Sequence, residues 1–164
     1  GTLEVLWGAM LGAMLEVAET GHLTVLEALL DCRADPNEVD REGWTPLTIA
    51  AKSGHDAVVR ALVAAGAEPN PPVHRHTALR GAAIYGRLDV CSLLLDLRAD
   101  PNLASDGART ALMGAAMNGH ADVVRLLRRR GATLDLRNDY GEDALMLALK
   151  SGHHDCAAAL RDDN

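Results

Sequence analysis

The sequence contains very few aromatic side chains: no Phe, two Tyr and two Trp among 164 residues. Its hydrophobic fraction of 48% comes instead from Ala, Leu and Val. A globular core of mixed shapes normally uses more aromatic rings. Small and uniform apolar side chains favour many short helices packed at a close, repeated spacing, because each layer must match the next.

Other absences narrow the class of protein. No apolar run approaches the roughly 20 residues of a membrane span, and no basic-then-apolar signal segment opens the chain. We therefore expect a soluble, intracellular protein with no membrane partner, in the cytoplasm or alternatively in the nucleus. Cys32, Cys91 and Cys156 are odd in number and far apart, which favours small buried side chains over a disulfide or metal site.

The net charge of −7 lies entirely in the first half of the chain. Residues 1–72 hold 11 acidic and 4 basic side chains, whereas residues 73–164 hold 12 of each. This distribution argues against a nucleic-acid partner and permits steering of a basic partner toward the N-terminal half. A solvated acidic surface without a partner is the alternative.

Three markers recur in one register. A Gly-His or Gly-Arg step begins at Gly21, Gly54, Gly86, Gly119 and Gly152, with spacings of 33, 32, 33 and 33. An Ala-Asp/Glu-Pro-Asn motif begins at Ala34, Ala67 and Ala99 and diverges at Ala132. A Thr-Pro/Ala-Leu motif begins at Thr45, Thr77 and Thr110 and diverges at Asp143. Self-similarity at this period predicts a repeat architecture.

The most regular unit, residues 45–70, reads as two helices. Thr45 can cap a helix whose first residue is Pro46, and Gly54 ends that helix after two turns. A second helix begins at Asp56, and Gly66 can take the left-handed conformation that ends it. Neither helix is long enough to be stable alone, so each unit must pack on its neighbours. Arg33 and Arg98 stand at the position that Gly66 occupies in its unit. If the backbone there is left-handed, each arginine costs about 1 kcal/mol relative to glycine.

These segments resemble the ankyrin repeat family. The resemblance rests on TPLTIAAKSGH, TALRGAAIYGR and TALMGAAMNGH, and runs from about Leu15 to the C-terminus. It implies an all-α fold: an ankyrin-repeat solenoid of stacked helix-turn-helix units with β-turn fingers. The expected units are an N-terminal cap at 13–39, repeats at 40–72, 73–104 and 105–137, and a C-terminal cap at 138–164. Residues 1–12 fit no repeat, and their GTLEVL opening resembles part of a viral-protease site from expression vectors.

In this family the first helix of each unit and the finger before it line the concave side. The resemblance therefore implies partner contact there, with the second helices forming the back. The implied finger residues are Trp44, His76, Arg109 and Glu142. The implied helix residues are Lys52, Ser53, Ile84, Tyr85, Met117, Asn118, Lys150 and Ser151.

The aromatic residues outside the opening segment all fall on this surface. Trp44, Tyr85 and Tyr140 lie on predicted fingers or the concave ladder, and such residues dominate binding hot spots. Ile84 and Met117, expected to be exposed in adjacent repeats, would add an apolar centre. The alternative is that the rings cover neighbouring repeats.

Repeat two departs most from the pattern. Its finger, Pro71-Pro72-Val73-His74-Arg75-His76, is one residue shorter than its neighbours and lacks their glycine. The segment 74–76 with Arg80, Arg87 and Arg109 predicts a basic middle that docks an acidic or phosphorylated peptide. Gly81 and Gly114 occupy the place of Ile49 in the first helix, where close helix packing and a slot for a partner side chain are equally good explanations.

No motif predicts catalysis, a cofactor or a metal site. Within the resemblance, the repeated Gly-His histidines are structural, and neither His74-x-His76 nor residues 153–156 show paired zinc-site spacing. Phosphate-binding glycine loops and nucleophile elbows are absent, and residues 128–130 read as the solvated edge of a second helix. We therefore expect a monomeric, non-enzymatic scaffold that binds a protein or peptide. The alternative is an inhibitor or regulatory domain of a partner enzyme such as a kinase.

Overall fold

The computed structural model describes residues 2–72 and 75–161, which form ten helices joined by turns. The helices are α1 (Thr2–Thr20), α2 (Leu23–Asp31), α3 (Pro46–Ser53), α4 (Asp56–Ala64), α5 (Ala78–Ile84), α6 (Leu88–Asp96), α7 (Ala111–Asn118), α8 (Ala121–Arg129), α9 (Ala144–Lys150) and α10 (His154–Arg161). The odd-numbered helices stack in chain order to form an inner layer, and the even-numbered helices stack behind them as an outer layer. The predicted all-α solenoid is confirmed. None of the helices in the described ranges is long and apolar enough to span a membrane.

The inner helices begin and end where the sequence predicts. The backbone N–H of Thr48 donates to the Thr45 hydroxyl at 3.1 Å, and Pro46 occupies the first turn. Asp143 caps α9 in the same way, because its carboxylate accepts from the N–H of Met146 at 2.8 Å. Gly54 ends α3 with a φ of 88°, a conformation that glycine adopts without a steric penalty.

Alanine fills the closest contacts between inner helices. One alanine in each of the inner helices α3, α5, α7 and α9 is completely buried at the same position of the repeat: Ala50, Ala82, Ala115 and Ala148. A larger side chain at these positions would push adjacent helices apart, so the scarcity of aromatic residues follows from the stacking.

The Gly-His steps join consecutive repeats. The Nε2 of His55 lies 2.9 Å from the carbonyl oxygen of Glu19, and the ring donates because a carbonyl can only accept. A Cβ placed on Gly21 would lie 2.7 Å from the same ring, so the glycine makes room for the histidine. His120 repeats the arrangement one unit later, at 2.9 Å from the Ile84 carbonyl. These histidines are structural.

The Asn of each Ala-Asp-Pro-Asn motif forms a second set of bonds between repeats. The Asn70 side-chain amide donates to the carbonyl of Arg98 at 2.8 Å and accepts from the N–H of Asp100 at 2.7 Å. Asn37 and Asn102 make the same pair of bonds to the following unit. The motif diverges at Asp135, which makes no such pair of bonds among the described residues.

Three details refine the sequence-based expectations. The boundary expected at residue 13 lies inside α1, which is helical from Thr2. Cys91 and Cys156 are buried as predicted, but Cys32 is exposed, so the prediction of burial was wrong for this residue. Cys32 is exposed because it occupies the C-cap of α2. Ala65, at the C-cap of α4, is exposed in the same way. Arg33 and Arg98, which replace glycine, do have a left-handed backbone, with φ values of 62° and 66°.

Candidate binding surface

Four turns project beside the inner helices, and we name them finger one (40–44), finger two (described residues 71–72 and 75–76), finger three (105–109) and finger four (138–142). Finger one is closed by Asp40, whose carboxylate accepts from the N–H groups of Glu42 and Trp44, both at 2.9 Å. Finger three is closed by paired backbone bonds between Ser105 and Arg109 at 2.9 and 3.3 Å. We call the fingers and the exposed side of the inner helices the inner face.

Backbone bonds also connect neighbouring fingers. The N–H of Asp106 donates to the carbonyl of Arg75 at 3.4 Å, and the N–H of Asp139 donates to the carbonyl of Gly107 at 3.1 Å. The side chains of Arg75 and Asp106 form an exposed ion pair at 3.8 Å. The inner face is thus a connected surface.

Trp44 of finger one stacks on His76 of finger two. Their ring centroids are 3.7 Å apart and their planes differ by 4°. The ammonium of Lys52 lies 5.1 Å from the centroid of the Trp44 ring, within the range of a cation–π interaction. Trp44 is therefore half-buried and already engaged with the next repeat.

The surroundings of His76 favour its neutral form. Burial lowers the pKa of His76, and the charge of Arg80 lowers it further. A backbone hydrogen bond with Glu42 and the carboxylates of Asp106 and Asp40 act in the opposite direction with smaller effect. The net lowering of the pKa means that the stacked imidazole carries no charge at neutral pH.

The other predicted site residues differ in how much of the side chain is exposed to solvent. Tyr85 is 55% exposed, Met117 is 44% exposed and Tyr140 is 76% exposed. Ile84 is less exposed than expected, because its Cγ1 packs against the backbone of Gly114. The remaining predicted residues that the structure describes are half-buried (Lys52, Ser53, Glu142) or exposed (Asn118, Lys150, Ser151).

One residue predicted for the basic middle, His74, lies outside the described residues, and another, Arg87, is engaged elsewhere. Arg87 stacks its stem over Gly54 and donates from Nε to the carbonyl of Lys52 at 3.1 Å, so it replaces the histidine of the other repeats.

A pocket of about 180 Å³ opens between fingers three and four and helices α5, α7 and α9. It unites four predicted site residues, Arg109, Met117, Tyr140 and Glu142. Its other lining residues are Arg80, Met113, Gly114, Asn138 and Leu147. Met113 and Leu147 carry no sequence signal for a site, because they lie in the helix signature shared by all repeats.

The two matched glycines have different surroundings. A Cβ on Gly81 would lie 3.5 Å from the nearest atoms, an ordinary contact. A Cβ on Gly114 would lie 2.9 Å from Ile84 Cγ1 and 3.6 Å from Arg80 Cγ. Gly114 therefore serves close packing and at the same time leaves room for the Arg80 stem beside the pocket.

The two sides of the pocket carry opposite charge. The Glu142 carboxylate accepts from Lys150 at 2.7 Å and from Asn138 at 3.2 Å, and these hydrogen bonds lower the pKa of Glu142. Across from it, burial lowers the pKa of Arg80, and the neighbouring charge of Arg109 adds to the effect. Arg80 Nε is buried and has no hydrogen-bond partner among the described residues.

The basic run 128–130 lies in and just after α8, away from the inner face. Arg130 pairs with Asp96 of α6, and Arg128 donates to the carbonyl of Ala159 in α10. Both side chains therefore connect outer helices. Within the ranges 2–72 and 75–161, no group of three or more His, Cys, Asp or Glu side chains is placed to hold a metal ion.

Comparison with known families gives one result. A family model described as ankyrin repeats (3 copies) matches residues 14–105 and 98–164, and the two matches overlap. The comparison with curated proteins gives no significant match.

Proposed function

This chain belongs to the ankyrin repeat family, and we propose that it is a non-enzymatic scaffold that binds a protein or peptide on its inner face. Repeats of this family generally mediate protein–protein interactions and are typically non-catalytic. The proposal for this particular surface rests on one observation: large side chains remain uncovered on the inner face. Tyr85, Met117 and Tyr140 are 55%, 44% and 76% exposed there.

Exposed tyrosines and methionines are suited to recognition. A Tyr ring supplies a large contact area with a polar tip, and it loses little conformational entropy on binding. The flexible Met117 side chain adapts to the shape of a partner. Trp44 has a different role in this proposal: it stacks on His76 and holds fingers one and two in place.

Affinity capture followed by mass spectrometry tests the proposal. The wild-type chain is compared with a Tyr85→Ala/Met117→Ala variant and with a control, Val25→Ala/Leu88→Ala. The control removes side chains that are 48% and 36% exposed on the outer helices. Proteins enriched by the wild type and the control, but lost with the inner-face variant, support the proposal. Equal capture by both variants would refute it.

A further inference from the structure

Two arginines of the inner face carry charges that the described part of the chain does not neutralise. Arg80 and Arg109 line both the pocket between fingers three and four and a polar cleft between fingers two and three. Neither guanidinium forms an ion pair with any carboxylate in residues 2–72 or 75–161. Of the acids that line these two sites, Asp106 pairs with Arg75 and Glu142 pairs with Lys150, while Glu42 forms no ion pair with either arginine.

This arrangement is energetically unfavourable without a ligand. A buried polar atom that lacks a hydrogen bond loses its interaction with water and gains nothing in return. Arg80 Nε is such an atom, and the like charge of Arg109 adds repulsion. Such an exception in a folded protein calls for an explanation, and a ligand that accepts from the guanidinium provides one.

The walls of the pocket indicate what else the ligand contains. Next to the two arginines lie Met113, Met117 and Leu147, and Gly114 contributes backbone to the same wall. A pocket of about 180 Å³ with these walls accepts one large apolar side chain. The ligand therefore combines an anion with a neighbouring apolar group.

The charge of the pocket selects between two anions. Its ionised lining side chains are two guanidinium groups and the Glu142 carboxylate, which is itself paired with Lys150. A side-chain carboxylate carries one negative charge, whereas a phosphate carries about two at neutral pH and would be repelled more strongly by Glu142. A guanidinium fork matches the two oxygens of a carboxylate.

We propose that Arg80 and Arg109 together bind the carboxylate of an Asp or Glu in a partner peptide while the adjacent large apolar side chain of that peptide enters the pocket beside Gly114. This assignment rests on the proposed function, because it names the peptide class that the inner face recognises. It places the specificity of the surface in repeats two and three.

Selection from a displayed library of random peptides tests the assignment. Three proteins are used: the wild type, Arg80→Gln/Arg109→Gln, and the control Arg60→Gln/Arg129→Gln, which removes the same charge from exposed positions of the outer helices. Peptides enriched by the wild type should contain Asp or Glu next to a large apolar residue. Their Kd should rise about 10- to 100-fold with Arg80→Gln/Arg109→Gln or when the acid is replaced by its amide, and should not change with the control.

The outcomes separate this assignment from the general proposal. Enriched peptides without an acid, unchanged binding by the arginine variant, tighter binding of a phosphoserine version than of the Glu version, or no enriched peptide at all would each overturn the carboxylate assignment. Peptides that resist the arginine change but are lost with Tyr85→Ala/Met117→Ala would leave the scaffold proposal intact. Binding that resists both changes would contradict both.

A stability measurement distinguishes a binding role of Arg80 from a structural one. Arg80→Met keeps the apolar stem and removes the unpaired charge. The thermal midpoint of this variant should equal or exceed that of the wild type, while binding of the selected peptides is weakened. A lowered midpoint would show that Arg80 has a stabilising partner and would overturn the proposal.

Discussion

The indole of Trp44 and the imidazole of His76 stack face to face, with centroids 3.7 Å apart and an angle of 4° between their planes. The two residues come from successive fingers, so the stack fixes the position of finger two relative to finger one. Finger two is the short, proline-containing finger, and it gains a side-chain contact with finger one through this stack.

The stack makes stability depend on pH. The pKa of His76 in the folded chain lies below its ordinary value of 6.5, chiefly because of burial. The unfolded chain therefore takes up a proton first as the pH falls, and the stabilisation from neutral His76 is complete above 6.5 and lost as the pH falls through the folded pKa. Urea unfolding at pH 7.5 and 5.0 should show a loss of stability in the wild type that is smaller in His76→Gln. The exposed His154→Gln should behave as the wild type, and an equal loss in both variants would contradict this role of His76.

The asparagine side-chain bonds predict that the loss of stability on substitution by alanine depends strongly on which repeat is changed. Asn70→Ala removes two hydrogen bonds to the next repeat and should lower the free energy of unfolding by about 1–2 kcal/mol. Asp135→Ala changes the equivalent position of the unit 105–137, where these bonds are missing among the described residues, and should change stability by less than about 0.5 kcal/mol. Equal effects in denaturant unfolding would show that the bonds between repeats do not contribute.

The two matched glycines should respond in opposite directions. Gly81→Ala should stabilise the chain by up to about 1 kcal/mol, because alanine favours a helix and its Cβ meets only ordinary contacts. Gly114→Ala should destabilise it by about 1–3 kcal/mol, because the added Cβ would lie too close to Ile84. The cost should fall when Ile84→Ala is introduced as well. A Gly114→Ala cost that is unchanged in that background would rule out the contact as its cause.

The left-handed arginine between repeats two and three should be replaceable with a gain. Arg98 has a φ of 66°, and Arg98→Gly should stabilise the chain by about 1 kcal/mol by removing backbone strain. Arg98→Ala removes the same side chain but retains the strained backbone, so it should give no such gain. Thermal unfolding of both variants distinguishes the two causes. Equal midpoints for Arg98→Gly and Arg98→Ala would show that any gain comes from removal of the side chain and not from relief of backbone strain.

The features predicted from sequence are those that depend on short-range geometry. Thr45 caps its helix because an acceptor lies three residues before a free N–H, and Gly54 ends it because it takes a positive φ. The repeated motif then carries these local features through the chain. Cys32 was predicted wrongly because its type suggested burial, whereas its place at a helix C-cap determines exposure.

The features that were not predicted join side chains from different repeats. The stack of Trp44 on His76 depends on the relative position of two fingers, one of which departs from the repeat pattern. The pocket depends on how Arg80 and Arg109 from adjacent units come together with finger four. Gly114 was visible in the sequence, but the three-dimensional arrangement was needed to show that it both packs against Ile84 and borders a pocket.

The most direct test of binding at the inner face uses the methionine methyl groups as reporters. The chain has five methionines, among which Met113 and Met117 line the pocket while Met10 and Met14 lie in the first helix. Methyl NMR spectra of ¹³C-methionine-labelled protein are recorded while a captured partner or selected peptide is added. Binding at the inner face predicts that the Met113 and Met117 signals shift in proportion to occupancy while those of Met10 and Met14 stay in place. Saturable binding that leaves Met113 and Met117 unshifted would contradict the account.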